Sequence, residues 1–210
     1  MEHWHLLLRV LWNTFLALVP VLLAQVIPRM ALASRRNKAV VVPIVIATIV
    51  WLVFLPNTCY LLTEWRHFLH RLDMSDMFLR SQSDTGVTLL LMVYTVFFFC
   101  YSAMGMVAFA LAIRPIARLA RDRGANLWAW GALLFGMVSV GVYLGLVLRL
   151  NSWDLAVRPA NVWAAVAGIT SHPVLCCFLV FFAGVLWLAY AAIDIWLDGL
   201  ASRWKEWFPR

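Results

Sequence analysis

Charge is what this sequence has least of. Its 210 residues include 17 Lys and Arg and 10 Asp and Glu, or 13% charged, where a soluble domain carries about a quarter. With 64% of residues hydrophobic, a water-soluble fold of this length would leave far too much apolar surface outside its core. Disorder is excluded by the same numbers, because unfoldable chains are poor in hydrophobics and rich in charge. Cysteines are few, and Cys59, Cys100, Cys176 and Cys177 show no paired metal-type spacing. A Cys59–Cys176 or Cys59–Cys177 disulfide is conceivable on one side of a membrane, but nothing in the spacing requires it. Cys100 falls inside an apolar stretch and reads as a small core hydrophobe. There is no HExxH, no internal repeat, no low-complexity tract and no segment that reads as a separate soluble domain.

What remains is an all-α polytopic integral membrane protein forming a single membrane domain. The mean hydropathy of +0.86 and the 12 Trp, 13 Phe and 5 Tyr agree, since aromatic rings collect at membrane–water interfaces. The net charge of +7 does not indicate nucleic acid. The basic residues lie in short runs between apolar stretches, as membrane orientation requires. Five stretches reach the ~17–25 residues a spanning helix needs: Val10–Ile27 closed by Pro28, Ala39–Leu55 closed by Pro56, Val87–Ile113, Leu127–Leu148, and Pro173–Ile193 ended by Asp194. The first resembles a signal peptide at Ala31-Leu-Ala33, but Arg29, Arg35, Arg36 and Lys38 oppose export, so it reads as a retained helix.

Orientation follows from the basic residues. Pro28–Lys38 carries four, Arg114–Asn126 four, and the tail after Asp198 three; the opposite face has Arg9, Arg66, Arg71, Arg80, Arg149 and Arg158. The positive-inside rule then predicts an N-terminus outside and a cytoplasmic C-terminus, in a bacterial inner membrane. Asn57–Gly86 reads as helical at first, either continuing span two on the outer face or lying along the interface. Asn151–His172 is too short and polar to span and reads as an interfacial or re-entrant helix. Gly131, Gly136, Gly141 and Gly145 line the fourth span, and Gly141 and Gly145 form a GxxxG. Packing within one chain is favoured there over a homodimer through Gly141 and Gly145.

Polar residues concentrate at two span ends on the outer face. In Leu55-Pro56-Asn57-Thr58-Cys59-Tyr60-Leu61-Leu62-Thr63-Glu64-Trp65-Arg66-His67, Pro56 interrupts the helix and Asn57 or Thr58 is positioned to cap the next one. Glu64 and His67 are three apart and share a helix face. In Tyr143-Leu-Gly145-Leu-Val-Leu-Arg149-Leu-Asn151-Ser152-Trp153-Asp154, Arg149 lies at the apolar boundary and needs a partner, with Glu64 and Asp154 as candidates. Asn151, Ser152 and Asp154 read as a helix exit and following cap.

These two motifs, LPNxxYLLT-acid-xx-H followed by YLGxxxRxNSWD, resemble an uncharacterised family of bacterial multi-pass membrane proteins catalogued as a domain of unknown function. Members usually carry Asp where this chain has Glu64, and often Arg where it has Leu146. The resemblance implies topology and a site, and no chemistry.

Three functional readings follow. The first is a site binding a small ligand or lipid head group, with Asn57, Tyr60, Arg149 and Asn151 as ligand residues. The second is a membrane-embedded hydrolase or transferase using Glu64, His67 and Asp154 for acid–base work or as metal ligands. A single Glu-x-x-His is half of a bundle di-metal site, so no cofactor is specified. His70 and His172 are outliers to that cluster, His172 reading as a helix cap. The third is a structural or partner subunit, in which the same polar groups pair with one another. Transport is disfavoured, because the spans hold few ionisable groups and no inverted repeat.

Overall fold

The computed structural model describes residues 2–33, 38–63 and 76–208, and these are helical with no strand. The elements are α1 (Glu2–Ala33), a 3₁₀ turn (Lys38–Val40), α2 (Val41–Phe54), α3 (Pro56–Thr63), α4 (Met77–Ser81), α5 (Thr85–Asp122), α6 (Leu127–Leu146), α7 (Asp154–Val157), α8 (Pro159–Thr170) and α9 (Pro173–Trp207). Five segments are long and apolar enough to cross a membrane: Val10–Ala33, Lys38–Leu61, Thr85–Asp122, Leu127–Leu146 and Pro173–Trp207. The chain is therefore an all-α integral membrane protein, and its environment is a lipid bilayer.

Several helices run past the ends their apolar stretches indicate. α1 continues through Pro28 to Ala33, and the second span passes the Pro56 break to Leu61. α5 and α9 extend beyond Ile113 and Ile193 to Asp122 and Trp207. Apolar windows measure the ~30 Å hydrocarbon layer, whereas a helix ends where its backbone finds a cap. α5, with 38 residues, is about 57 Å long at 1.5 Å per residue. It starts where the Asp84 carboxylate accepts the N–H groups of Gly86 and Val87 at 2.7 and 3.4 Å. It ends before Gly124, whose φ of +73° is the left-handed exit that glycine favours. Asn126 caps α6 in the same way, accepting from Trp128 and Ala129.

α5 lies at the centre, packed against α1, α3 and α9, and α3 is wedged between α1, α5 and α6. Its buried residues Phe98, Tyr101, Gly105, Phe109, Ala112, Ile116 recur every three or four positions, one stripe of a helix. α6 repeats the pattern with Gly131, Leu134, Phe135, Val138, Ser139 and Val142. The two stripes meet in the main core, where the rings of Phe109 and Phe135 stand edge to face 6.1 Å apart. Trp51, Leu55 and Cys59 enter from α2 and α3, and Leu186 from α9. Two bonds tie the spans across this core. The Trp51 indole donates to the Ala112 carbonyl at 2.8 Å, and the Ser139 hydroxyl to the Leu179 carbonyl at 2.8 Å.

Glycine decides how closely α3 approaches. A Cβ on Gly141 would lie 2.5 Å from the Pro56 ring, and one on Gly105 2.6 Å from Leu61 Cβ. The face carrying Gly141 and Gly145 is thus occupied by α3 of the same chain. All four cysteines are free thiols. Cys59 is in the core, but Cys100 is exposed, on the outer side of α5 rather than within the core as its mid-span position suggests. Among membrane helices either face is apolar, so hydropathy does not distinguish lipid from core. The segment after α6 forms the short α7 and then α8, which packs on α6 and α9 and buries only Val162 and Ile169.

Candidate functional site

The site begins with a defect in a helix. Pro56 has no N–H and cannot continue the hydrogen-bond ladder of α2. Leu55 N–H still donates to the Trp51 carbonyl at 2.9 Å, but Thr58 N–H reaches back only to Leu55, at 3.2 Å. The missing proline donor belongs to the Leu52 carbonyl, and the shift it causes also takes the Asn57 and Thr58 N–H groups away from the Val53 and Phe54 carbonyls, near the end of a membrane span where an unpaired group costs several kcal/mol.

Side chains supply what the backbone does not. The Asn57 amide donates to the Phe54 carbonyl at 3.0 Å and to Ser152 Oγ at 3.1 Å. Ser152 Oγ in turn donates to the Val53 carbonyl at 3.2 Å. Thr58 Oγ1 donates to the Leu55 carbonyl at 2.8 Å. Asn57 and Thr58 are buried, at 4% and 0% exposure. They therefore do not act as N-caps accepting from the following helix. They donate to the preceding one, because the proline creates surplus acceptors there.

Tyr60, one turn on, donates its hydroxyl to the Gly141 carbonyl at 3.3 Å. The ring reaches that carbonyl because Gly145 has no side chain; a Cβ there would overlap the Tyr60 hydroxyl. Pro56, Asn57 and Tyr60 of the first motif are thus interlocked with Gly145 and Ser152 of the second and with Gly141 just before it. A ladder from Val53 to Ser152 to Asn57 closes the joint.

The remaining residues of the second motif form a turn outside this joint. Arg149 is exposed, with a left-handed backbone at φ 56°. The α6 exit is closed by Leu150 N–H on the Leu144 carbonyl at 3.0 Å. Asp154 Oδ2 accepts the Asn151 N–H at 2.6 Å, and the Asp154 N–H returns to the Asn151 carbonyl at 2.9 Å. Asp154 therefore does not pair with Arg149 as the sequence suggests. A backbone N–H three residues away, held by the turn itself, satisfies the carboxylate at little entropic cost. Among the described residues Arg149 has no ion pair. His172 stands at the N-cap position of α9 but makes no side-chain cap bond.

Glu64, His67 and His70, the acid–imidazole candidates, lie outside the described residues. Among the described residues, no three His, Cys, Asp or Glu side chains gather as a metal site would require.

Two features escape a sequence reading. Ser152 looks like part of a helix exit, and its role is set by a carbonyl 99 residues away. At the opposite end of the bundle, Arg114 Nε meets Asp194 Oδ1 at 2.9 Å, and Arg114 also pairs with Asp198. Arg118 approaches Asp198 at 3.6 Å. The signal was present: Arg114 and Arg118 are four apart, as are Asp194 and Asp198, so each pair shares a helix face.

No curated protein and no solved structure matches the chain. Both interlocked segments fall within residues 12–189, which match the family model described as a protein of unknown function (DUF1361), and the chain belongs to that family.

Proposed function

We propose that this membrane protein binds an anionic group, a lipid head group or small acidic ligand, at the turn between α6 and α7. Arg149 and Asn151 are the contact residues, and the Asn57–Ser152–Tyr60 joint is the frame that holds them. The protein is proposed to lie in a bacterial inner membrane with this turn outside and its C-terminus cytoplasmic, as the basic-residue distribution favours. Glu64 and His67 belong to the same proposed face.

The observation carrying this reading is Arg149 itself. A left-handed residue ending a helix is usually glycine, and a side chain there costs about 1–2 kcal/mol. This chain accepts that strain and holds an exposed guanidinium, without an ion pair among the described residues, at a span end. Such a group matches a phosphate or carboxylate through two parallel hydrogen bonds.

The alternative reading, a purely structural latch, is favoured by Asn57, Ser152 and Tyr60, whose polar groups are engaged internally. Hydrogen exchange of the 147–158 segment separates the two. The full chain in neutral detergent is compared with and without phosphatidylglycerol, phosphatidylcholine or glycerol phosphate. Binding at the turn predicts added protection with phosphatidylglycerol or glycerol phosphate but not phosphatidylcholine, lost in Arg149→Gln. Protection by neither anion, or protection unchanged in Arg149→Gln, sinks the binding reading and leaves the latch.

A further inference from the structure

At the end of the bundle opposite Arg149, α1 and α5 line a cleft of about 510 Å³. Two helix-interior prolines line it, Pro28 from α1 and Pro115 from α5. Neither has an N–H to hold the preceding turn, and an interior proline ring pushes that turn aside.

The walls carry a specific chemistry. Arg29 from α1 and Arg114 and Arg118 from α5 line the cleft, with Gln25 and Asp122. The three arginines are not equivalent. Arg114 is mostly buried and tied to Asp194 and Asp198, which fixes it as part of the wall. Arg118 is 60% exposed and touches Asp198 only at 3.6 Å. Arg29 is exposed and has no ion pair among the described residues. Two guanidinium groups, one from each helix, are therefore available to a ligand entering between them.

The surroundings favour an anion with an apolar tail. By sequence this end carries eleven basic residues against four acidic ones, Asp122, Asp194, Asp198 and Glu206, so its field attracts negative charge. On α1, Phe15, Leu18, Leu22 and Val26 precede Arg29 at three- or four-residue spacing, and all are exposed. That ladder is one face of the helix, leading out of the hydrocarbon layer to the arginine. Basic pockets between spans suit phosphorylated lipid head groups.

We infer that the α1–α5 cleft is a phosphate-binding site, filled by the head group of an anionic phospholipid whose acyl chain lies along Phe15–Val26, with Arg29 and Arg118 holding the phosphate oxygens. The site is separate from Arg149 and does not depend on a function there.

The test uses the full chain carrying Arg149→Gln, so that the opposite turn does not contribute, in neutral detergent by native mass spectrometry. Phosphatidylglycerol is expected to remain bound in preference to phosphatidylcholine, and Arg29→Ala/Arg118→Ala to weaken it about thirtyfold, from roughly 1 kcal/mol per arginine. Arg29→Lys/Arg118→Lys, which keeps charge but loses the planar fork, restores part of the binding. Millimolar inorganic phosphate displacing the lipid would show that the cleft takes the free anion as well; no displacement assigns it to the lipid. Retention unchanged in the double alanine variant overturns the inference. So does an equal loss in Arg121→Ala/Arg123→Ala, because those exposed arginines lie outside the cleft and would report only surface charge. Should the double variant fail to fold, the exposed single change Arg29→Gln carries the same comparison, with a several-fold loss expected.

Discussion

A single methyl group at Gly145 would collide with the Tyr60 hydroxyl, although the two residues are 85 positions apart in sequence. Relief requires moving the ring of a residue already bonded to Gly141. Gly145→Ala is therefore expected to destabilise the protein by about 1–3 kcal/mol, the usual scale of overpacking in a filled core. Tyr60→Leu removes both atoms that a Cβ would overlap, the hydroxyl and the ring carbon bearing it, along with the bond to Gly141. The double variant Gly145→Ala/Tyr60→Leu should consequently be more stable than the sum of the single losses. Thermal unfolding in detergent measures all four forms, and strict additivity would contradict the contact. Glycine at position 145 could be recognised from the GxxxG spacing. Its partner could not, because small-xxx-small patterns state only that some backbone comes close.

The break between α2 and α3 is where element and motif meet. Pro56 shifts the backbone after it, so the Asn57 and Thr58 N–H groups do not reach the Val53 and Phe54 carbonyls that the Ser152 and Asn57 side chains then satisfy, and the importance of Ser152 depends on the proline. Ser152→Ala should cost about 1 kcal/mol in the parent, the low end of the penalty for an acceptor losing its donor, because the bond is only partly buried. In a Pro56→Ala background the regular ladder can re-form, and the same serine change should cost much less. Equal costs in both backgrounds, by chemical or thermal unfolding, would mean that Ser152 does not serve the break. At this scale the helix interruption was legible from Pro56. The direction of the polar bonds was not: capping rules describe donors left over at a helix start, whereas an interior proline leaves acceptors.

For the whole molecule, five spans place the two polar regions at opposite ends, the Arg149 turn at one and the α1–α5 cleft at the other. The distribution of basic residues predicts that Asn151→Cys reacts with a membrane-impermeant maleimide added to intact cells. Ser202→Cys, on the exposed tail of α9, should react only after permeabilisation. The reverse pattern would invert the topology and exchange the sides of both proposed sites. Native thiols complicate the measurement little. Cys59 is buried, and the others can be followed in the parent as background.

The sequence by itself determined that this chain lives in a bilayer, that it has five spans, and which segments hold its polar residues. Those properties are sums over local composition: twenty apolar residues prefer hydrocarbon whatever their neighbours do. Tertiary structure alone decided which apolar faces meet each other and which meet lipid, since both are equally apolar. It also decided where each polar group finds its partner. Thus Asp154 turned to its own backbone rather than to Arg149, Ser152 reached the Val53 carbonyl, and Arg114 bridged to the far helix α9. A buried hydrogen bond is short-ranged and directional, so it is assigned by the few ångströms that folding brings together, and those are absent from the order of residues along the chain.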